Sequence, residues 1–197
     1  MKTESYKQQI NKLLGMVDSV SGHIIEVGTY DGDTSEIICR YLLENKISKK
    51  FYGLDTFSGY LGEDMRGANK DSIFNFVNRV WDSEKQKVEN RLSFYGKQNY
   101  QIIEGDCKKT IPECIENGTF SQFSLVYIDC NLYRPSVTSM DRLYPLLQIG
   151  GIMAIDEHTT GGETKAIKEI AKKYNQELSF FSNKQGPSYF FIKKESE

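Results

Sequence analysis

Five short apolar runs, each closing on or near an acidic residue and separated by stretches of helical spacing, constrain this chain more than any other feature. The runs are His23–Val27, 51–54, 100–103, Phe123–Ile128 and 152–155. The first carries Glu26 inside its end and stops at Gly28; the others lead to Asp55, Glu104-Gly105-Asp106, Asp129 and Asp156. Segment 34–45 places Ile37, Ile38, Tyr41 and Leu42 on one helical face, and 72–95, 108–117 and 136–147 read as helix-like. Strand and helix in alternation predict a parallel sheet, and near-continuous apolar runs suit strands buried on both faces. After the fifth run, 163–174 has a helix pattern. Segments 178–182 and Tyr189–Ile192 flank a turn with Gly186-Pro187, which predicts an antiparallel hairpin on one sheet edge. The expected fold is therefore α/β: a doubly wound, mostly parallel, seven-stranded sheet with an antiparallel last strand.

At 197 residues the chain is expected to form one domain. That length buries about 70% of the unfolded surface, so neither metal nor disulfide is needed merely to fold. A formal charge of −2 argues against a general nucleic-acid binder. It also combines with 12% aromatic residues to argue against disorder. No run of 18 apolar residues is present, and the polar N-terminus MKTESYKQQINK has no signal-peptide core. Cys39, Cys107, Cys114 and Cys130 show no CxxC spacing, which argues against structural zinc and for reduced thiols in a cytoplasmic protein. Segment 56–72, with Gly59, Gly62 and Gly67, reads as a mobile loop.

In open parallel sheets, ligands bind beyond the carboxyl ends of the strands, which is where the acids gather. The first strand opens into Glu26-Val-Gly28-Thr-Tyr-Asp-Gly32-Asp33-Thr34. Gly28 lets the chain turn, Gly32 allows close backbone approach, and Thr34 is placed to cap the next helix. The spacing is not GxGxxG, and Asp31 and Asp33 oppose a pyrophosphate, so a positively charged ligand suits this turn better. Asp55 is placed for the two hydroxyls of a ribose, and Asp106 for the exocyclic amine of a base. An adenosine site with a cationic neighbour has the shape of S-adenosylmethionine. The plainer reading is that strand ends are polar because chains must turn there. A nicotinamide-dependent oxidoreductase would also use Asp55, but the missing GxGxxG and the acid-rich turn argue against it.

The motifs EVGTYDGDT, GLDTFSG, EGD, YIDCNLY, PLLQIGGIMAIDE and GGETKAI resemble class I S-adenosylmethionine-dependent methyltransferases, and more narrowly the macrocin O-methyltransferase family. The resemblance runs from about residue 20 to residue 192 and implies a single Rossmann-like methyltransferase domain over residues 1–197. It implies methyl transfer to a hydroxyl of a sugar or sugar-bearing metabolite, in natural product or polysaccharide biosynthesis. By position it assigns Glu26, Gly28 and Gly32 to the methionine part of the cofactor, Asp55 to the ribose and Asp106 to the adenine side. Thr29, Tyr30, Asp33, Thr34, Thr56, Phe57, Cys107 and Asp129 complete the implied cofactor-binding set. It further implies Mg2+ held by Asp129, Asp156 and Glu157, oxygen ligands that suit this ion. The implied partner is a small, glycosylated acceptor, with no nucleic acid and no membrane. A homodimer is left open by the apolar surface of 56–95.

Two departures bear on mechanism. The family's Asp-Asp after the fifth strand is Asp156-Glu157 here, and the second acid of its DxDLY motif is Asn131, which accepts no proton at neutral pH. Asp129, Asn131 and His158 are the candidate catalytic residues, with His158 as the stand-in base. A loop histidine without a role is the alternative. Beside the metal-assisted reading stand a metal-independent methyltransferase with His158 as base and a non-catalytic cofactor-binding scaffold. His23, at the far end of the first strand, reads as structural, and Cys107 and Cys130 as small packing residues near the cofactor. Asp141 and Arg142 read as a solvated helix face. Phe57, Phe74, Phe76, Trp81, Phe94 and Tyr95 read mostly as core or dimer contacts. Tyr60 is placed for the acceptor pocket, while Tyr133 fits either the cofactor region or packing under the fourth strand. Only about 19 residues precede the first strand, against the long N-terminal cover of larger members. The acceptor site is therefore expected to be open, or closed by 57–72 or a neighbouring subunit.

Overall fold

The computed structural model describes residues 2–65, 84–156, 161–181 and 188–195. Their elements run α1 (Glu4–Met16), β1 (His23–Val27), α2 (Asp33–Glu44), β2 (Phe51–Asp55), α3 (Gly62–Met65), α4 (Lys85–Leu92), β3 (Tyr100–Glu104), α5 (Cys107–Glu116), β4 (Phe123–Ile128), α6 (Tyr133–Leu143), β5 (Leu147–Ile155), α7 (Gly162–Lys173), β6 (Ser179–Phe180) and β7 (Tyr189–Ile192). The sheet has seven strands in the order β3-β2-β1-β4-β5-β7-β6. Strands β1 to β5 pair in parallel, and β7 runs antiparallel to both β5 and β6. The expected fold class is thus observed. The order reverses between β1 and β4, which opens a crevice at their carboxyl ends.

Side chains on a strand alternate between faces, and both faces here are apolar. Ile24, Leu125, Tyr127, Ile152 and Ala154 face one core, closed by α1, α2 and α4. Ile25, Val27, Val126, Ile128, Met153 and Ile155 face the other, closed by α5, α6 and α7. Burying one such aliphatic side chain stabilises the fold by about 1.5–3 kcal/mol, so the central strands anchor both layers. Glu26 falls on the first face by the same alternation, level with Tyr127 and Ala154.

Local chemistry explains where the elements differ from expectation. Helix α1 was not anticipated; Thr3 caps it by accepting from the Tyr6 N–H, and Tyr6, Ile10, Leu13 and Leu14 are buried. Helix α2 begins at Asp33 behind Gly32, whose φ of 82° is left-handed, so Gly32 and not Thr34 occupies the capping position. Pro145 stops α6 short of 147, and β5 then starts at Leu147 instead of 152. Register slips between Phe123 and Leu125 against β5, a bulge that the flexible Gly150-Gly151 permits. Within segment 56–72 only 56–65 is described, and it is tied down: Thr56 Oγ1 donates to the Gly59 carbonyl, and Lys108 pairs with both Glu63 and Asp64 of α3. Of the expected helix 72–95, residues 72–83 lie outside the described residues, as do Phe74, Phe76, Trp81 and the Gly186-Pro187 turn. Phe57 and Tyr95 are buried, while Phe94 is 82% exposed. No helix among the described residues is long and apolar enough to cross a membrane.

At Gly28 the fold tolerates no side chain. Its φ is 99°, and a Cβ there would lie 1.9 Å from the Asp129 carbonyl oxygen. Gly28→Ala is expected to lower unfolding stability by about 3 kcal/mol, read as a fall in the urea midpoint.

Candidate active site

Strands β4 and β5 end side by side and place two carboxylates together. The Asp129 N–H donates to the Val27 carbonyl at 2.8 Å, and the Asp156 N–H to the Ile128 carbonyl at 3.0 Å, so the backbone fixes both positions. Asp156 Oδ1 accepts from the hydroxyls of Tyr127 and Tyr6, each at 2.6 Å. Both tyrosine protons are thereby committed, and the Thr34 hydroxyl, 3.0 Å from Tyr6 Oη, donates to it. Lys2 closes the group: its Nζ lies 3.9 Å from Asp129 Oδ2, 3.8 Å from Asp156 Oδ2 and 4.3 Å from the centre of the Tyr6 ring. Burial and the charge of Asp156 push the Asp129 carboxyl up to about 8, although Lys2 opposes the shift. Burial would lower the Lys2 pKa, but Asp129, Asp156 and Glu26 outweigh it and raise it. Among the described residues, Lys2 is the cation that the two carboxylates share.

Beside this pair lies a cavity of about 310 Å3 at the sheet's switch point. Gly28, Tyr30, Asp55, Thr56, Tyr60, Asp106, Cys107, Asp129, Cys130, Asn131 and Asp156 line it, together with Val27, Leu54, Leu61 and Pro135. Asp55 is held at the rim by two backbone donors: Tyr30 N–H reaches Oδ2 and Phe57 N–H reaches Oδ1, both at 2.8 Å. A carboxylate has about four acceptor sites, so each oxygen keeps one free for a ligand. Asp106 caps α5 by accepting the Lys108 N–H on Oδ1 at 3.0 Å. Lys108 also pairs with Asp106 at 3.3 Å and ties α3 across this end of the cavity.

The structure brings Gly28, Tyr30, Asp55, Thr56, Asp106, Cys107, Asp129 and Asn131 of the sequence-derived set to the cavity wall. Glu26, Thr29, Gly32, Asp33, Thr34 and Phe57 are not among the residues that line it. Glu26 is fully buried on the α2 side of the sheet, where the Ser35 hydroxyl donates to Oε2 at 2.5 Å and burial raises its pKa well above the usual carboxylate range. Thr29 is buried and its hydroxyl has no hydrogen-bond partner among the described residues. Asp33 is ion-paired with Arg91 of α4, while Thr34 faces Tyr6 and Phe57 joins the core under α1 and α2. Tyr133 is turned to α7, where its hydroxyl donates to Glu169 at 2.6 Å. His23 Nδ1 accepts the Lys50 N–H at 3.1 Å, a structural role. Asp141 is not merely solvated: Lys173 and Tyr174 both donate to its Oδ1. Glu157 and His158 lie outside the described residues.

Four residues of the site escape the sequence reading: Lys2, Tyr6, Tyr127 and Glu163. The signal for the first pair was present, since Thr3 precedes Tyr6, Ile10, Leu13, Leu14 and Val17 at amphipathic spacing. Tyr127 sits inside an apolar run, and no pattern marks its hydroxyl. Glu163 is 0% exposed, and its Oε1 accepts the Asn131 N–H at 2.5 Å. That bond holds Asn131 at a φ of 61°, on the same cavity wall as Tyr60. Gly162 makes the approach possible, because a Cβ there would lie 2.4 Å from the Tyr133 nitrogen. Among the described residues, no group of three or more His, Cys, Asp or Glu side chains is arranged to hold a metal ion.

The family model for Macrocin-O-methyltransferase (TylF) matches residues 4–180. The chain belongs to the macrocin O-methyltransferase family. Helix α1, which places Tyr6 against Asp156, falls within the matched residues. Among curated proteins, the chain is 22% identical over 165 residues to the 8-demethyl-8-(2,3-dimethoxy-alpha-L-rhamnosyl)-tetracenomycin-C 4'-O-methyltransferase of Streptomyces olivaceus, covering 81% of this chain and 61% of that protein. It is 21% identical over 180 residues to the demethyldecarbamoylnovobiocin O-methyltransferase of Streptomyces niveus, covering 88% and 66%. The chain therefore spans less than two thirds of the length of these two relatives. The solved structure of the O-methyltransferase NovP shares the fold, with a TM-score of 0.80, 18% identity and coverage of 96% of this chain and 79% of that one.

The Tyr6 hydroxyl bridges α1 to the end of β5. Tyr6→Phe removes one charge-assisted bond to Asp156 and leaves the Tyr127 bond in place. Stability is expected to fall by about 1.5–3 kcal/mol, read by urea unfolding at neutral pH.

Proposed function

We propose that this macrocin O-methyltransferase family member transfers a methyl group from S-adenosylmethionine to a hydroxyl of a sugar or sugar-bearing metabolite, assisted by a divalent cation such as Mg2+. The observation that carries the reading is the cavity at the sheet's switch point, with Asp55 fixed at one side and the Asp129–Asp156 pair at the other. The names of the two Streptomyces relatives support an O-methylated natural product, and the first names a rhamnosyl-bearing acceptor.

The residues present suit both groups. A sulfonium carries positive charge, and Asp55, Asp106, Asp129 and Asp156 make the wall acidic. Asp55 has free acceptor sites for ribose hydroxyls, and Val27, Leu54, Leu61 and Pro135 offer apolar surface to a base. Asp129 and Asp156 each turn one oxygen toward a common point, and Asp129 holds its proton up to about 8, so the pair favours added positive charge, which suits a divalent cation, with Glu157 as the third ligand by position. When bound, S-adenosylmethionine supplies a methyl whose bond to sulfur breaks as the bond to the acceptor oxygen forms, leaving a neutral thioether. The cation, when bound at Asp129 and Asp156, lowers the pKa of an acceptor hydroxyl.

The chain's own part is placement and proton removal. Asp55 orients the cofactor by its ribose, and the backbone bonds from Tyr30 and Phe57 keep that carboxylate from turning away. Tyr60, half-buried in the cavity wall with Asn131, shields the acceptor oxygen from water. Asn131 accepts no proton and acts here as a positioning residue. The hydroxyl proton passes to a ring nitrogen of His158, two positions beyond Asp156.

Two measurements test this. Asp55→Ala is expected to weaken S-adenosylhomocysteine binding at least about tenfold by calorimetry, since each hydrogen bond to a charged group contributes about 1.5–3 kcal/mol. Binding at wild-type affinity would overturn the ribose assignment. Asp129→Ala is expected to abolish turnover of a glycosylated acceptor while S-adenosylhomocysteine still binds. Chelator-stripped wild type is expected to lose activity and regain it with Mg2+; full activity in chelator would remove the metal from the reading and leave the methyl transfer standing.

A further inference from the structure

We propose that Lys2 is a tethered cation for the Asp129–Asp156 pair, a latch that a divalent ion must displace, so that metal binding and withdrawal of the Lys2 ammonium are one event. The inference rests on the metal part of the proposed function and adds a competitor drawn from this chain. The Lys2 ammonium lies within 4 Å of one oxygen of each carboxylate, a place that one cation fills. A divalent ion seated on the same two carboxylates would be repelled by an ammonium left at that distance, so the two exclude each other.

The latch is built to open. Lys2 precedes the capping residue Thr3, and the helix hydrogen bonds begin beyond it, with the Lys7 N–H donating to the Thr3 carbonyl at 3.1 Å. Rotation about the backbone of residue 2 therefore frees the ammonium without breaking a turn of α1. Its contacts to both carboxylates exceed 3.5 Å and are Coulombic rather than hydrogen-bonded. The Lys2 side chain is already 32% exposed, so its path to water is short. The helix behind it stays in place, because Ile10, Leu13 and Leu14 are buried in the core and Tyr6 is bonded to Asp156. In the closed state Lys2 offsets part of the charge of the paired acids; in the open state the same carboxylates are available to the ion, and the cavity edge that Lys2 lines is cleared.

The test uses Mn2+ as probe on the full chain, at fixed pH and ionic strength, with calorimetry on wild type, Lys2→Met and Lys2→Arg. Lys2→Met keeps the apolar stem and removes the charge; it is expected to bind Mn2+ about fivefold or more tightly than wild type, the effect of one unit charge about 4 Å away even in a watery setting. Lys2→Arg is expected to stay near wild type and shows that position 2 tolerates substitution. In parallel, lysines are reductively 13C-methylated, which keeps their charge, and the Lys2 signal is identified by its loss in Lys2→Arg. Saturating Mg2+ is expected to move that signal to the position of solvent-exposed methylated lysines. Equal Mn2+ affinity in Lys2→Met and wild type, or an unmoved Lys2 signal at saturation, would overturn the latch while the metal reading stands. Absence of Mn2+ binding in all three proteins would overturn both.

Discussion

Two carboxylates meet where β4 and β5 end, and compensating their charge organises much of the molecule around them. Backbone bonds to the Val27 and Ile128 carbonyls place Asp129 and Asp156, so neither can withdraw without breaking the sheet. Like charges this close cannot both ionise freely, and burial removes the water that would screen them. The chain answers with a hydroxyl from inside β4, a hydroxyl from the first turn of α1 and the ammonium of Lys2. These groups come from positions 2, 6 and 127, and only the packing of α1 over α2 brings the first two to the third. The Asp129 carboxyl still rises to about 8, so the cluster retains an appetite for positive charge.

The same sheet sets the cavity. The strand order reverses between β1 and β4, and the loops after β1, β2, β3 and β4 diverge there. Glycine at position 28 lets the β1 loop touch the Asp129 backbone, which closes the floor. Asp55 then hangs over that floor on two backbone N–H groups. Strand alternation puts Glu26, two residues before Gly28, on the face that α2 covers, level with Tyr127, where Ser35 meets it and the charges of Lys2, Asp129 and Asp156 reach it.

The doubly wound order, the antiparallel end of the sheet and the gathering of acids at one edge were legible in the sequence because they follow from period-two burial and chain polarity. Asp55, Asp106 and Asp129 were legible for the same reason, each ending a run or standing just past one. Linear spacing places a residue on a turn but does not say which way it faces, so the partners that Glu26, Thr34 and Phe57 meet were not legible. Position 34 shows the limit well. Threonine is a good cap, yet left-handed Gly32 takes that place and Thr34 turns to Tyr6.

By itself, the sequence determined the layers, the edge of the sheet that carries chemistry and the acids that stand there, since burial periodicity and strand direction are local properties. The tertiary structure decided which groups those acids meet. Lys2 and Asp156 are 154 positions apart, and Glu163 reaches Asn131 across 32. Such contacts depend on how α1 and α7 pack on opposite faces of the sheet, and no local spacing encodes the distance between two elements that meet only after the chain has folded.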